Sequence, residues 1–249
     1  MGANPFRPPA VVAKMTATLD HQSGGRAILG LGAAWHAREL EDHGLPAGSG
    51  IGDRLRALDE SLAIIQAILA GGTVTRASDW YRMTGVRHEP RPVQARVPVL
   101  VGAEGERVGL QVVARHADLW QLWVPIHSID HYARKSEVLA SHCAALGRDP
   151  QTIRHLPGAK VILRDDPDGA EQAFSRAARA HGWTGELEAY VRSSAWLTTP
   201  DGAVRALERY RQAGAGGFIA QAFGPYDDET IERLATEVRP ALAATAAAL

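Results

Sequence analysis

The chain of 249 residues has little that could crosslink it, hold a metal through sulfur or anchor it in a membrane. Its only cysteine, Cys143, excludes an internal disulfide and a cysteine metal cage, and we interpret it as a small apolar filler of a helix. No run approaches the ~20 apolar residues that a membrane span needs, and no N-terminal stretch resembles a signal peptide. These absences predict a cytoplasmic protein with no membrane partner.

An excess of charge of one sign is also missing. The 27 Lys and Arg residues against 28 Asp and Glu residues give a formal net charge of −1, and neither sign forms a run. A near-neutral chain argues against nucleic acid as a partner. The histidines show no metal-ligand spacing and no carboxylate cluster accompanies them, so we expect no metal site.

The stretch from Leu19 to Trp35 carries the strongest local signals. A helix from about Pro8 to Asp20 ends before a glycine turn, and the apolar run Ala27–Gly32 then predicts a strand. Because this run has no polar alternation, it is typical of a strand covered on both faces in a parallel α/β sheet. Small residues at its carboxyl end let a flat ligand approach the backbone, at the end where parallel α/β folds bind ligands.

Further strands and helices alternate along the rest of the chain, which predicts right-handed βαβ units and a parallel sheet. Residues 36 to 53 read as a loop, and residues 73 to 97 as an irregular segment with short strands near Val74 and Tyr81. The other predicted strands are Pro98–Gly102, Ala117–Trp123, Ala159–Leu163 and Gly216–Phe223. The predicted helices are Arg54–Leu69, capped by Asp53, then Arg107–His116, Ile129–Leu146, Asp168–Ala180, Pro200–Ala213 and Asp227–Leu242.

Several short motifs resemble the luciferase-like monooxygenase superfamily, whose members are flavin- or deazaflavin (F420)-dependent oxidoreductases built on a TIM barrel. The F420-type branch is the one that the chain resembles most. The order and spacing of the motifs carry the resemblance, which covers most of the chain. The motifs are Thr18-Leu19-Asp20, Ser23-Gly24-Gly25-Arg26, Gly30-Leu31-Gly32-Ala33-Ala34-Trp35, Glu39, Gly44, Arg54, Glu60, Pro90 to Pro98, Gly102 and Ala117-Asp118.

The resemblance implies a fold that is incomplete. Five strands are recognisable where a closed barrel has eight, and they match strands four to eight of the family. We therefore expect residues 1–249 to form a single partial, TIM-barrel-like α/β domain of the bacterial luciferase type, without the first three βα units. Its two edges, Arg26–Gly32 and Gly217–Phe223, present unpaired backbone groups, which predicts aggregation or a homodimer.

The resemblance also implies a cofactor site at the carboxyl ends of two strands. A ring wall is expected at Leu31, Gly32 and His36. The loop after the next strand suits a phosphate, because small residues and a helix start expose backbone N–H groups there. This predicted phosphate loop comprises Gly102, Ala103, Gly105, Glu106 and Arg107, although its glutamates are unfavourable near an anion unless they point to water.

No catalytic residue can be assigned from these motifs. Ala33 occupies the position where some F420-dependent dehydrogenases of the family place a catalytic glutamate, and we interpret Glu39 as a loop anchor. Gln121 and His127 lie near the carboxyl end of the strand Ala117–Trp123 and are candidates for lining a pocket. The resemblance to the F420-type branch implies hydride transfer with F420 to or from a small-molecule substrate. The alternatives are an FMN-dependent monooxygenase of the same fold, or a non-catalytic remnant that acts as a binding or dimerisation module.

Overall fold

The computed structural model describes residues 1–46, 48, 50–125, 128–224 and 227–247. In chain order the strands are β1 (Gly2–Ala3), β2 (Leu29–Gly32), β3 (Val74–Ala77), β4 (Arg82–Val86), β5 (Val99–Gly102), β6 (Leu119–Trp123), β7 (Arg154–Leu163), β8 (Ala195–Thr198) and β9 (Ile219–Ala222). The helices are α1 (Pro9–Gln22), α2 (Ala37–Asp42), α3 (Ile51–Leu69), α4 (Gly109–His116), α5 (Ile129–Ala145), α6 (Pro167–His181), α7 (Gly185–Ser193), α8 (Pro200–Gln212), α9 (Asp228–Arg233) and α10 (Arg239–Ala247).

The chain divides into two compact units. The first comprises Met1–Gln121 and Lys135–Arg154, and the second comprises Leu122–Arg134 and His155–Leu249. Strand β6 and helix α5 each contribute residues to both units. We describe the units one at a time.

The first unit is built on parallel strands in the order β1, β2, β5 and β6. Side chains of successive residues point to opposite faces of a strand, so register decides which residues share a face. Leu29, Leu31, Val99, Val101 and Trp120 are buried on one face, against which the helices pack. The other face carries three glycines together with Leu100, Leu119 and Gln121. The hairpin formed by β3 and β4 is a separate antiparallel pair.

Helix α3 is the main support of the first unit. Its apolar residues recur at helical spacing, and Leu58, Leu62 and Ile65 are fully buried. It contacts α1, α4, β2 and β3. The helix begins after Gly50, so the prediction that Asp53 caps it is wrong; Asp53 lies in the first turn instead.

The second unit is organised around β7, which pairs in parallel with β8 and β9. Helices α6 and α7 pack onto it through a cluster that includes Phe174, Phe223 and Ile162. Trp196 lies against Tyr210 and donates from its indole to the Val124 carbonyl oxygen at 3.0 Å. Burial of large aromatic side chains of this kind dominates the stability of a small core.

All five strands predicted from the sequence are present. The predicted helices agree apart from their ends, except that the predicted helix Asp227–Leu242 consists of α9, a π-helical segment at Leu234–Val238 and the start of α10. The parallel α/β class is confirmed. Strands β1 and β8 and helix α7 were not predicted, and the segment predicted as a loop after β2 contains α2. The edge at Arg26–Gly32 is partly covered, because Gly2 and Ala3 pair with Leu31 and Gly32. Dimerisation stays a prediction.

Two kinds of feature are absent from the described residues. None of their helices combines the length and apolarity that crossing a bilayer requires. No three His, Cys, Asp or Glu side chains in that part of the chain are grouped so that they could hold a metal ion.

Candidate functional site

Three neighbouring strands of the first unit end side by side on one face. Gly32 at the end of β2 pairs with Gly102 at the end of β5, and Gly102 pairs with Gln121 in β6. Parallel pairing in register places these residues on the same face of the sheet. The two glycines form a floor without side chains, which we call the glycine floor, and Gln121 stands beside it.

The glycine floor exposes backbone that only the Met1 side chain and Gln121 border closely among the contacts of Gly102. A Cβ atom added at Gly102 would run into the side chain of Met1, which lies over the floor and also contacts Gly30. A Cβ atom added at Gly32 would stand 3.4 Å from the Gly102 carbonyl oxygen. Because the side chain of Met1 is flexible and 64% of the residue is exposed, a bound ring can displace it.

Gln121 is buried next to this floor and its amide is not satisfied. The residue is 4% exposed, and no atom in the described part of the chain accepts a hydrogen bond from its Nε2. Its Oε1 lies 3.4 Å from the position that a Cβ atom of Gly102 would take. An unpartnered buried amide costs free energy, so this group needs an explanation. The sequence signal for it was a polar residue inside an apolar strand, near the carboxyl end.

The phosphate loop predicted from the sequence begins at Gly102, which belongs to the glycine floor, and its remaining residues are held by hydrogen bonds to Trp120 and Leu110. The Trp120 indole donates to the Ala103 carbonyl oxygen at 2.7 Å, and the Leu110 N–H donates to the Gly105 carbonyl oxygen at 2.9 Å. These bonds fix both ends of the loop before helix α4 begins. Gly105 is exposed, so the backbone of the loop is accessible.

The charge of the loop is close to balanced. The carboxylate of Glu106 is paired with Lys135 at 2.9 Å, and the Glu106 carbonyl oxygen accepts from His142 at 2.8 Å. Glu104 and Arg107 are exposed. Lys135 neutralises one glutamate, and Arg107 adds a positive charge. The loop is therefore less unfavourable for a bound anion than its two glutamates alone would indicate.

The turn after β2 is strained and clamped. Ala34 has a φ of 64°, in the left-handed region that favours glycine. Its carbonyl oxygen accepts from Arg54 Nε at 3.1 Å, and Arg54 is a buried residue of α3. Trp35 and His36 follow with ring centroids 5.0 Å apart, and both are exposed. Non-glycine residues in this conformation cluster at functional sites, where the surrounding structure holds them.

The other residues proposed from the sequence lie apart from the floor. The Leu31 side chain is buried on the opposite face, as the alternation of a strand requires, so only its backbone can contribute to a ring wall. Glu39 is exposed in α2, where its carbonyl oxygen accepts from the His43 ring. His127 lies outside the described residues.

The amino ends of the same strands are closed by carboxylates. Asp20 accepts from the Ala27 N–H at 3.3 Å, from the Gln94 N–H at 2.9 Å and from the Gln94 side chain at 2.7 Å. Burial raises the pKa of Asp20, but these hydrogen bonds outweigh it and hold the pKa below its ordinary value. Asp118 likewise accepts from the Val99 N–H at 2.9 Å.

The carboxyl end of β7 in the second unit also carries a satisfied polar network. Arg164 follows β7 and pairs with Asp227 at 2.9 Å and with Glu229 at 3.0 Å. The Asp227 carboxylate accepts from the Thr230 hydroxyl at 2.6 Å, and that hydroxyl in turn accepts from the Leu163 N–H at 2.9 Å. We call these residues the Arg164 network.

A cleft of about 590 Å³ lies in the first unit between α3, α4 and the β3–β4 hairpin. Most of its polar side chains pair with one another: Arg76 with Glu60, and both Arg115 and His116 with Asp59, while Arg56 pairs with Asp53. Because these groups satisfy one another, the cleft offers a weaker case for a ligand than the glycine floor does.

Known proteins with similar sequence or structure point in one direction. The family model described as luciferase-like monooxygenase matches residues 1–245. A phthiodiolone/phenolphthiodiolone dimycocerosates ketoreductase of Mycobacterium tuberculosis is 31% identical over 171 residues, which is 68% of this chain and 43% of that protein. The chain spans about half the length of the curated relatives it matches, with 50% and 43% of two of them covered.

Solved structures share the fold at lower identity. An F420-dependent secondary alcohol dehydrogenase in complex with an F420–acetone adduct superposes with a TM-score of 0.76 at 18% identity, covering 94% of this chain and 75% of that one. The EDTA monooxygenase from Chelativorans sp. BNC1 superposes with a TM-score of 0.77 at 14% identity, covering 98% of this chain and 72% of that one. These likenesses establish the fold.

Proposed function

We propose, from the premise that the chain belongs to the luciferase-like monooxygenase family, that it is an oxidoreductase using F420 for hydride transfer to or from a small-molecule substrate. Members of this family are oxidoreductases and monooxygenases, and flavin or deazaflavin is their cofactor. The single observation that carries the proposal is the glycine floor beside the unpartnered amide of Gln121. Hydride transfer is favoured because a related protein is a ketoreductase and a structural neighbour is an alcohol dehydrogenase.

The residues present fit such a cofactor. A flat ring needs a surface without side chains, which Gly32 and Gly102 provide, and a polar partner at its edge, which Gln121 provides. The loop that begins at Ala103 offers accessible backbone and a helix start for a phosphate. When bound, a deazaflavin supplies the two-electron hydride step itself.

The chain's own part in the reaction is to bind and orient. Close contact between the ring and the backbone of the glycine floor fixes the distance of the ring from the sheet. The clamped Ala34 turn fixes the position of the wall next to the ring. Trp35 and His36 are exposed beside that turn and are placed to cover a bound ring from water. Such positioning is the main contribution of a protein to cofactor chemistry.

A second candidate is an FMN-dependent monooxygenase. The likeness to EDTA monooxygenase favours it, because that protein has the same fold. The glycine floor serves either ring, since flavin and deazaflavin have the same flat shape.

Equilibrium titration of the purified chain with F420 and, separately, with FMN tests the proposal, using quenching of cofactor fluorescence. We expect saturable binding of F420 that is at least tenfold tighter than binding of FMN. A protein that purifies yellow and prefers FMN would reject F420 and support the monooxygenase. Absence of binding to both would leave the chain as a non-catalytic module.

A further inference from the structure

The amide of Gln121 has no structural task that the described residues reveal. It sits in β6 between neighbours that pack on the opposite face, and its Nε2 has no acceptor although the residue is 4% exposed. Buried side-chain amides in folded proteins are normally hydrogen-bonded. An amide left without a partner in one state of a protein is explained when a ligand supplies the partner in another.

The direction of this amide agrees with that explanation. Its Oε1 borders the space above Gly102, where a Cβ atom would stand 3.4 Å away. Gly32 lies in register on the far side of Gly102, so a strip of backbone without side chains of its own extends from the amide across two strands, and the movable Met1 side chain lies over it. A flat ligand that fills this strip meets the amide with one edge.

A carboxamide presents one acceptor and one donor side by side. The ligand edge that complements it has an N–H next to a carbonyl oxygen, so that two hydrogen bonds form together. Flavins and deazaflavins both carry such an edge in their pyrimidinedione ring, where the imide N–H lies between two carbonyl groups.

We propose that Gln121 is a cofactor-binding residue that reads the pyrimidinedione edge of the ring with both atoms of its amide. This inference rests on the proposed function, because it assumes that a flavin or deazaflavin occupies the glycine floor. Gln121 is thereby a recognition residue shared by both cofactor types. It fixes where the ring lies and does not choose between them.

Replacement of Gln121 by Met keeps the length of the side chain and removes both polar atoms. We expect Q121M to raise the Kd for F420 or FMN about tenfold, which corresponds to the loss of buried hydrogen bonds. We also expect the melting temperature of Q121M without ligand to equal or exceed that of the wild type, because an unpartnered buried amide is removed. The matched control is Q212M at the exposed end of α8, which leaves the Kd unchanged.

Two results would overturn the inference while leaving the proposed function intact: binding by Q121M within twofold of a wild type that does bind cofactor, or a clear fall in its melting temperature. The fall would mean that the amide stabilises the fold. If the wild type itself binds neither F420 nor FMN, the proposed function and this inference fail together.

Lumiflavin and 3-methyllumiflavin identify the edge that is read. The methyl group replaces the imide hydrogen and leaves the rest of the ring unchanged. We expect the wild type to prefer lumiflavin about tenfold and Q121M to show no preference. An equal preference in both proteins would assign the edge to another residue.

Discussion

The carboxyl ends of the strands differ between the two units. In the second unit, the Arg164 network joins an arginine, two carboxylates, a hydroxyl and a backbone N–H. In the first unit, the ends of β2 and β5 carry the glycine floor, and Gln121 beside it has an amide nitrogen with no hydrogen-bond acceptor among the described residues. The polar groups at the end of β7 are thus satisfied, whereas one beside the ends of β2 and β5 is not.

This difference separates residues that hold the fold from residues available to a ligand. Buried polar groups stabilise a protein when every member has a partner, and an unpartnered member costs stability. Within the first unit the contrast is repeated along the strands themselves, because Asp20 and Asp118 satisfy backbone groups at the amino ends. In barrels of this class, binding residues gather at the carboxyl ends and stabilising residues at the amino ends.

The contrast between the two units would fail most clearly if the Arg164 network made no contribution to the free energy of unfolding. We expect Asp227→Ala to lower the free energy of unfolding by about 3 kcal/mol, because it leaves Arg164 without its main partner in a site where both side chains are mostly buried. Urea unfolding followed by circular dichroism measures this loss. The control is Asp165→Ala, whose carboxylate is 86% exposed in its pair with Arg233 and should matter by less than about 1 kcal/mol. Equal losses in the two variants would contradict the assignment.

The amino ends of the first unit are tested through Asp20. We expect Asp20→Asn to lower the free energy of unfolding by about 2 kcal/mol at neutral pH, since the substituted amide cannot accept all three hydrogen bonds.

The dependence on pH follows from the lowered pKa of Asp20. Its contribution is fully present above the ordinary pKa of 3.8 and is lost as the pH falls through the lower pKa of the folded state. Unfolding curves from pH 7 to about pH 2.5 should therefore show a steeper acid loss for the wild type than for D20N. Asp42→Asn, at an exposed ion pair, is the control and should keep the wild-type slope. Parallel slopes for wild type and D20N would assign the acid sensitivity elsewhere.

Substitution in the glycine floor should have the opposite effect: it should weaken cofactor binding and leave the stability of the fold nearly unchanged. We expect Gly102→Ala to raise the Kd for F420 or FMN about tenfold, because the added methyl group occupies the space of the ring. Its melting temperature should change little, since the methyl group overlaps only the movable end of Met1 and stands at contact distance, 3.4 Å, from Gln121 Oε1. Gly52→Ala, whose Cβ would stand 3.8 Å from Arg56, is the matched control. A fall in stability without a change in Kd would make Gly102 a packing residue.

The smallest expected effect concerns the Ala34 turn. Ala34→Gly should raise the free energy of unfolding by about 0.5 kcal/mol, because glycine adopts a positive φ without strain and loses part of that gain to its greater freedom when unfolded. Thermal unfolding detects this shift, and Ala37→Gly in α2 should change stability in the opposite direction. Destabilisation by Ala34→Gly would show that the alanine methyl group packs usefully in this turn.

The sequence predicts most of the strands and helices, but it says less about which strands lie next to one another. Apolar runs such as Val99–Gly102 predict strands, because a run too short for a helix favours a buried strand. The two missed strands have weak patterns: Gly2–Ala3 has two residues, and Ala195–Thr198 follows a helix without a glycine between them. Such short strands form by pairing with an adjacent strand, and the local sequence carries no information about that strand.

The candidate site was half predictable for the same reason. Gly32 and Gly102 could be named from their positions at the ends of apolar runs. Their contact with each other, the position of Gln121 beside them and the exclusion of the Leu31 side chain all depend on register between strands distant in sequence. Gln121 was noted only as a possible pocket residue, because a lone polar residue in a strand gives no information about its partners.

The bond from Arg54 to Ala34 has a consequence for the order in which the first unit opens. Arg54 lies in the first turns of α3, the helix with several fully buried residues. Segments with many buried apolar contacts open last in native-state amide hydrogen exchange, with protection close to that of global unfolding. The α3 amides around Leu58 and Leu62 should therefore be among the slowest of the unit to exchange. The Ala34 turn is tied to this helix through a side chain, so it should stay closed during the local fluctuations that expose less protected loops.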